Sequence, residues 1–174
     1  EIYKYAHLDC IGKTIIRNSR FRCDRGWDID LDDGSSYYEI YNNLCLNGGI
    51  KLREGFGRYV HNNITVNNSV HLHVWYENSG DVVENNIVFT EYQPILMEHG
   101  FGKSIDFNVL HSKNTKGIKK AYELEKITGM DTFSIKTKCV FADVKHSDYT
   151  LLSPKIPGFE NFPREFGVRY EPLK

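Results

Sequence analysis

A phrase of alternating apolar and polar residues returns several times along the chain. It reads EIYNNLCL at 39–46, RYVHNNITV at 58–66 and DVVENNIVF at 81–89, with a weaker copy, SIDFNVLH, at 104–111. In each copy, an alternating run typical of a half-buried strand is interrupted at asparagine and followed by a second short apolar run. The pattern therefore predicts pairs of short strands joined by asparagine turns.

The spacing of these copies predicts the fold. Asn43, Asn63, Asn86 and Asn108 follow one another at intervals of 20, 23 and 22 residues, and an earlier copy, TIIRNSRF, places Asn18 25 residues before Asn43. A repeat of this length is one rung of a β-solenoid. Asparagine tolerates left-handed backbone, and identical asparagines on successive rungs can form a hydrogen-bonded ladder. We predict an all-β fold, a right-handed parallel β-helix, over 1–113; an antiparallel sandwich would not need paired asparagines at matching places.

The period fails after residue 113. The segment TKGIKKAYELEKITGMD at 115–131 has apolar residues at helical spacing, and Gly129 is well placed to end a short amphipathic helix. Strand-like and proline-containing segments follow, including SIKTKCVFADV and DYTLLSPKIPGF. We expect 114–174 to pack on the side or end of the coil as part of the same domain.

The ends of a β-helix expose unpaired strand edges and apolar core. Nothing resembling a cap precedes the first rung. We therefore expect this rung to dock on further rungs, supplied by the rest of a longer chain or by a partner chain, which could be a second copy.

The composition limits the kinds of partner and ligand that the chain is expected to bind. Lysine and arginine number 22 against 23 aspartates and glutamates, so no bulk charge attracts nucleic acid or an anionic membrane. No apolar run reaches the roughly 18 residues of a spanning helix, and the start, EIYKYAHLDC, lacks a signal-peptide pattern. The four cysteines form no CxxC pair, which argues against zinc. We predict a soluble protein without metal or cofactor, with an uncharged substrate; its compartment, whether periplasmic, secreted or cytoplasmic, stays open.

Three rungs align to give a candidate site. WDIDLDDG at 27–34 lies over GIKLREG at 49–55, followed by VHLHVWYENSG at 70–80. If Ile29 and Leu31 point inward, the alternating neighbours point outward. The outward face then collects Asp28, Asp30, Asp32, Lys51, Arg53, His71, His73 and Trp75.

Carboxyl groups on adjacent rungs suit glycoside hydrolysis. Retaining enzymes hold two carboxyl groups about 5 to 5.5 Å apart, and neighbouring strands are about 4.8 Å apart. The simple register stacks Asp33 on Glu54, whereas a small slip would bring Asp32 or Asp30 opposite, so the nucleophile stays open among these three aspartates. Glu54 suits the acid/base role because neighbouring acids would raise its pKa.

The remaining residues of this face are candidates for binding. Lys51 and Arg53 would keep the nucleophilic aspartate ionised and contact substrate. His71 and His73 could bind sugar hydroxyls, and Trp75 or Trp27 could stack on a sugar ring. The expected ligand is an oligosaccharide.

These motifs carry a resemblance to a known family. WDIDLDDGSSYYEIYNN, GGIKLREGFGR and VHLHVWYENSGD resemble the β-helical enzymes of glycoside hydrolase family 120, the β-xylosidases, over most of the chain from about residue 10. The resemblance, to the carboxy-terminal portion of such an enzyme, implies a retaining glycosidase that releases xylose from short xylo-oligosaccharides. It also implies that Glu54 is the acid/base and that the nucleophile lies within DLDDG. The tail, SIKTKCVFADV followed by DYTLLSPKIPGF, also resembles the closing segment of the broader β-helix group, in which aspartate and proline commonly follow the phenylalanine-containing strand. Here Val144 rather than proline follows Asp143.

Two other functions fit the same pattern. A β-helical polysaccharide lyase would use Arg53 or Lys51 as base, with calcium on Asp28, Asp30, Asp32 and Asp33. A non-catalytic carbohydrate-binding solenoid would bind sugar without turnover and would be indifferent to the loss of Glu54.

Overall fold

The computed structural model describes residues 4–8, 10–73, 76–94, 102–111 and 129–166, with only the backbone described at 93 and 94. It confirms the parallel β-helix. The predicted amphipathic helix at 115–128 lies outside the described residues. No helix in the described ranges is long and apolar enough to cross a membrane.

The strands follow one another as rungs of three. The first rung contains β1 (Thr14–Arg17), β2 (Arg20–Phe21) and β3 (Ile29–Leu31). The second contains β4 (Tyr38–Tyr41), β5 (Leu44–Cys45) and β6 (Ile50–Arg53), and the third β7 (Tyr59–His61), β8 (Ile64–Thr65) and β9 (Val70–His73). Then come β10 (Val82–Glu84), β11 (Ile87–Val88), β12 (Gln93–Pro94), β13 (Ser104–Asp106), β14 (Val109–His111), β15 (Ile135–Thr137), β16 (Val140–Asp143) and β17 (Asp148–Ser153).

Three parallel sheets form the sides of the coil. Sheet A has the order β1-β4-β7-β10-β13, sheet B β15-β14-β11-β8-β5-β2, and sheet C β12-β9-β6-β3. Neighbouring strands in each of these sheets are parallel, which excludes the antiparallel sandwich. Parallel pairing continues to Thr137 in sheet B, beyond the boundary expected at residue 113.

Alternation along the strands fills the interior. Ile29 and Leu31 are buried and pair in register with Ile50 and Leu52 of the next rung, as predicted. Val70 and Leu72 continue both columns with no exposed surface. The free thiol of Cys45 is also fully buried in this core, as a small apolar residue would be.

The paired asparagines divide two tasks. The first of each pair takes the left-handed backbone that turns the chain from sheet A to sheet B, with φ of 53° at Asn42, 52° at Asn62 and 54° at Asn85. The second is fully buried and belongs to a side-chain ladder along the coil. The predicted ladder is therefore confirmed, and the turn belongs to the residue before it.

Each rung of the ladder is bonded to the next. The Nδ2 atom of Asn43 donates to Oδ1 of Asn63 at 3.1 Å, Asn63 to Asn86 at 3.0 Å, and Asn86 to Asn108 at 3.0 Å. The same amide groups donate to the carbonyls of Ile16, Ile40, Val60 and Val83 on sheet A strands. The alignment of Asn18 with Asn43 is wrong by one residue, because Arg20 pairs with Leu44 and so Ser19 lies opposite Asn43.

The carboxy-terminal segment covers the outer face of sheet B, as expected of a tail on the side of the coil. Leu44, Ile64 and Ile87 point out of the coil and pack in a second apolar cluster. From the tail, this cluster includes Cys139, Tyr149, Ile156, Phe159 and Phe162. Sheet B is therefore buried on both faces, whereas the outer face of sheet C carries the polar cluster described below.

We expect Asn86→Ala to lower the free energy of unfolding by about 2–4 kcal/mol, because it leaves buried donors and acceptors of the ladder without partners. The adjacent Asn85→Gly variant keeps the left-handed turn and should change the free energy of unfolding by less than about 1 kcal/mol. Urea denaturation of both variants checks this. Equal effects at the two positions would contradict the division of tasks.

Candidate active site on the outer face of sheet C

Two columns of charged and imidazole side chains run along sheet C. Asp30 lies opposite Lys51, which lies opposite His71. One step further along the strands, Asp32 lies beside Arg53, which is opposite His73. Each column therefore presents an acid, a base and an imidazole on three successive rungs, as the sequence alignment predicts.

Lys51 is the buried centre of the cluster. Its side chain is only 9% exposed, and its Nζ lies 2.8 Å from Oδ1 of Asp30 and 3.0 Å from Oδ1 of Asp32. The indole ring of Trp27 covers it, with 5.7 Å between Nζ and the ring centroid. Burial opposes the charged amine, but the hydrogen bonds to both aspartates outweigh it and raise the pKa of Lys51.

Arg53 bridges three carboxyl groups. Its Nη1 lies 3.3 Å from Oδ1 of Asp32, and its Nε lies 2.7 Å from Oδ1 of Asp33 and 3.6 Å from Oε2 of Glu54. The planar guanidinium can meet several carboxylates at once, as a lysine amine cannot. Arg53 therefore holds the acids of two rungs at one place.

Glu54 and Asp33 form a carboxyl pair. The Glu54 side chain is only 17% exposed. Leu31 pairs with Leu52 and the Gly34 amide donates to the Glu54 carbonyl, so Asp33 lies opposite Glu54 on the preceding rung. Burial raises the pKa of Glu54, as do hydrogen bonding to Asp33 and the charge of Asp33, against the opposing effect of Arg53. The predicted stacking of Asp33 on Glu54 is thus confirmed.

Asp32 is shifted the other way. The hydrogen bond from Lys51 outweighs desolvation and lowers the pKa of Asp32, with further help from the charges of Lys51 and Arg53. Its side chain is 60% exposed and thus accessible to a substrate. One face therefore holds an ionised carboxylate and a carboxyl group that retains its proton to higher pH.

Burial lowers the pKa values of both imidazoles. Burial lowers the pKa of His71 to about 4, with smaller contributions from His73 and Lys51, and burial also lowers the pKa of His73. His71 Nε2 lies 2.6 Å from Oδ1 of Asn68, and its ring meets Trp27 edge-on at a centroid distance of 4.1 Å. Trp27 is thus packed on His71 and Lys51, while Trp75 lies outside the described residues.

Asp28 does not belong to the outward face. Its carboxylate accepts hydrogen bonds from the backbone amides of Cys23 at 2.6 Å, Asn47 at 3.1 Å, Gly48 at 2.8 Å and Gly49 at 3.1 Å. It precedes β3 and closes the turn onto the next rung, so alternation does not apply to it. The expectation that Asp28 points outward is therefore wrong. Within the described ranges, no three His, Cys, Asp or Glu side chains are placed so that together they could hold a metal ion.

Sequence reasoning missed the support beneath this cluster. Arg58 and Asp81 are fully buried and paired, and the Arg58 guanidinium donates to the backbone carbonyl of Arg53. Charged residues at strand starts usually indicate solvent exposure, so their types gave no signal. Their matching positions, each directly before a sheet A strand, were the one available clue.

Comparison with known proteins does not identify the chemistry of this cluster. No protein-family model, curated protein or solved structure matches this chain. The chemical reading of the cluster therefore depends on its carboxyl groups and their surroundings.

We expect the free energy of unfolding to fall between about pH 6.5 and pH 4, because His71 binds a proton more weakly in the folded chain than in the unfolded chain. The contribution is present above pH 6.5 and is lost as the pH falls towards 4. His71→Gln keeps a donor for Asn68 and should flatten the fall by about 2 kcal/mol. Denaturation across this pH range checks it, and parallel curves for variant and wild type would contradict it.

Proposed function

We propose that this chain carries the catalytic site of a retaining glycoside hydrolase, with Asp32 as nucleophile and Glu54 as acid/base. The observation that supports it best is a pair of carboxyl groups on adjacent rungs whose pKa values are shifted in opposite directions, Asp32 down and Glu54 up. Such divergence separates the acid from the nucleophile in enzymes of this class. Asp32 and Glu54 also lie on adjacent rungs, and neighbouring strands are about 4.8 Å apart.

In the first step, a carboxylate oxygen of Asp32 attacks the anomeric carbon of the sugar. The bond between this carbon and the leaving oxygen breaks, and Glu54 gives its proton to that oxygen. An ester between Asp32 and the sugar and a free alcohol result. In the second step, the Glu54 carboxylate takes a proton from water, whose oxygen attacks the anomeric carbon and displaces Asp32.

The surrounding residues supply the protonation states. Lys51 and Arg53 stabilise the Asp32 carboxylate, while Asp33 favours the protonated form of Glu54. Oδ1 of Asp30 lies 2.8 Å from Nζ of Lys51, the amine that Asp32 also contacts. We therefore assign to Asp30 the compensation of the buried amine rather than the role of nucleophile. The choice of Asp32 over Asp30 and Asp33 follows from this division.

The charges favour an uncharged sugar. Asp30, Asp32, Asp33 and Glu54 face two cations, Lys51 and Arg53, and both cations are already paired. Among the described residues of this cluster, a uronate would find no cation that is not already paired. The family resemblance suggests a β-xyloside.

The lyase alternative finds less support. Its base would be Lys51, whose pKa is raised, or Arg53, which is bridged to three carboxyl groups. One of its four calcium ligands, Asp28, is committed to backbone amides. The binding-solenoid alternative is favoured by no particular contact.

We expect hydrolysis of aryl β-xylosides with poor leaving groups to fall by about 10²–10⁴ in Glu54→Gln, because the leaving oxygen loses its proton donor. Substrates with good leaving groups, which need no protonation, should be affected far less in the first step. The measurement is kcat/KM for a series of aryl xylosides, beside a panel of other aryl glycosides and a uronate polymer.

Glu160→Gln, an exposed glutamate of the tail, is the matched control and should leave all rates unchanged. A loss in Glu54→Gln that is equal for all leaving groups would argue against the acid role. Chelator-sensitive release of unsaturated uronides, or absence of turnover on every glycoside, would reject the proposed function.

A further inference from the structure

The loop that carries Glu54 connects β6 to β7 and is hydrogen-bonded to the neighbouring loops at Glu54, Phe56 and Gly57. The carbonyl of Glu54 accepts from the Gly34 amide at 2.5 Å, and the Phe56 amide donates to the Ser36 hydroxyl at 3.0 Å. The Gly57 amide donates to the Ser79 carbonyl at 2.7 Å on the following rung. The loop is thus held between the loops of the rungs on either side.

Arg58 closes this loop from inside. Its side chain has no exposed surface, and neither has that of Asp81 on the next rung. Its Nε lies 3.1 Å from both carboxylate oxygens of Asp81, and its Nη2 lies 2.5 Å from Oδ2. The remaining terminal nitrogen, Nη1, donates to the carbonyl of Arg53. A single guanidinium therefore joins the end of β6 to the start of the next rung.

The Arg53 carbonyl belongs to the peptide bond that precedes the Cα atom of Glu54, and the Glu54 carbonyl to the one that follows it. Arg58 fixes the first of these peptide planes, and Gly34 fixes the second. With both planes held, the direction in which the Glu54 side chain leaves the backbone is determined. Glycine is required at 55, where a Cβ atom would lie 2.3 Å from the Ser35 carbonyl oxygen and 3.0 Å from Nη1 of Arg58.

We propose that Arg58, held by Asp81, is the positioning residue that keeps the Glu54 carboxyl beside Asp33. The inference rests on the proposed function for its catalytic consequence, but its structural part concerns Glu54 alone. The Asp81 carboxylate compensates the Arg58 charge, so the pair orients Glu54 without adding net charge beneath the site. Positioning shells of this kind decide whether a catalytic group lies in its productive geometry.

Arg58→Lys tests the inference. An amine on a flexible stem can keep the ion pair with Asp81, but it cannot replace the planar fork that also reaches the Arg53 carbonyl. We expect the variant to fold, the pKa of Glu54 to move down towards the ordinary glutamate range, and kcat for aryl xylosides to fall about tenfold with KM little changed. The pKa is read from ¹³C NMR titration of the glutamate carboxyl groups, with Glu54→Gln identifying the signal.

Ile87→Ala, in the second apolar cluster on sheet B, is the control for lost stability. It should lower Tm but leave unchanged both the pKa of Glu54 in the NMR titration and the pH at which kcat falls on the alkaline side. If Arg58→Lys behaves like this control, with a lower Tm and an unchanged Glu54 titration, Arg58 is structural only and the proposal is overturned.

Asp81→Asn provides a second route should Arg58→Lys not fold. The amide retains the shape of the carboxylate but leaves the Arg58 charge uncompensated, and it should also move the Glu54 titration down. An unmoved titration in this folded variant would overturn the proposal. A titration that moves in a chain with no glycosidase turnover would support the positioning role and reject the proposed function, so the two failures are distinguishable.

Discussion

Register between rungs is the constraint on which this structure depends. Backbone hydrogen bonds between parallel strands and the buried asparagine ladder hold each rung opposite the same residues of the next. A slip of one residue would turn the apolar columns outward and separate the amides of the ladder. Because the register is fixed, residues some 20 positions apart in the sequence lie opposite each other on adjacent strands.

The polar cluster on sheet C is a consequence of this register. Asp32 and Arg53, or Asp33 and Glu54, meet because they occupy equivalent places on adjacent rungs. Lys51 and Arg53 then lower the pKa of Asp32, whereas burial and the neighbouring Asp33 raise the pKa of Glu54. The coil thus brings carboxyl groups of adjacent rungs together and gives them surroundings that shift their pKa values in opposite directions.

Features that repeat from rung to rung could be predicted from the sequence, whereas features that occur at one place in the coil could not. The apolar columns, the asparagine ladder and the stacking of Asp33 on Glu54 all follow from periodicity. Asn18 was misaligned because the first rung has a single asparagine here, which takes the left-handed turn position and leaves Ser19 opposite Asn43. Asp28 was misplaced because it binds backbone amides of a turn, and the burial of Arg58 and Asp81 depends on tertiary packing that their types do not indicate.

The proposal that Asp32 is a glycosidase nucleophile can be tested most directly by covalent trapping. A 2-deoxy-2-fluoro-β-xyloside with a good leaving group should form the ester but hydrolyse it slowly, because fluorine destabilises both transition states. We predict one fluoroxylosyl group per chain, found by mass spectrometry on the peptide that contains Asp32 and absent from Asp32→Asn. Labelling of Asp30 or Asp33 instead, or turnover with inverted anomeric configuration and no label, would contradict the assignment.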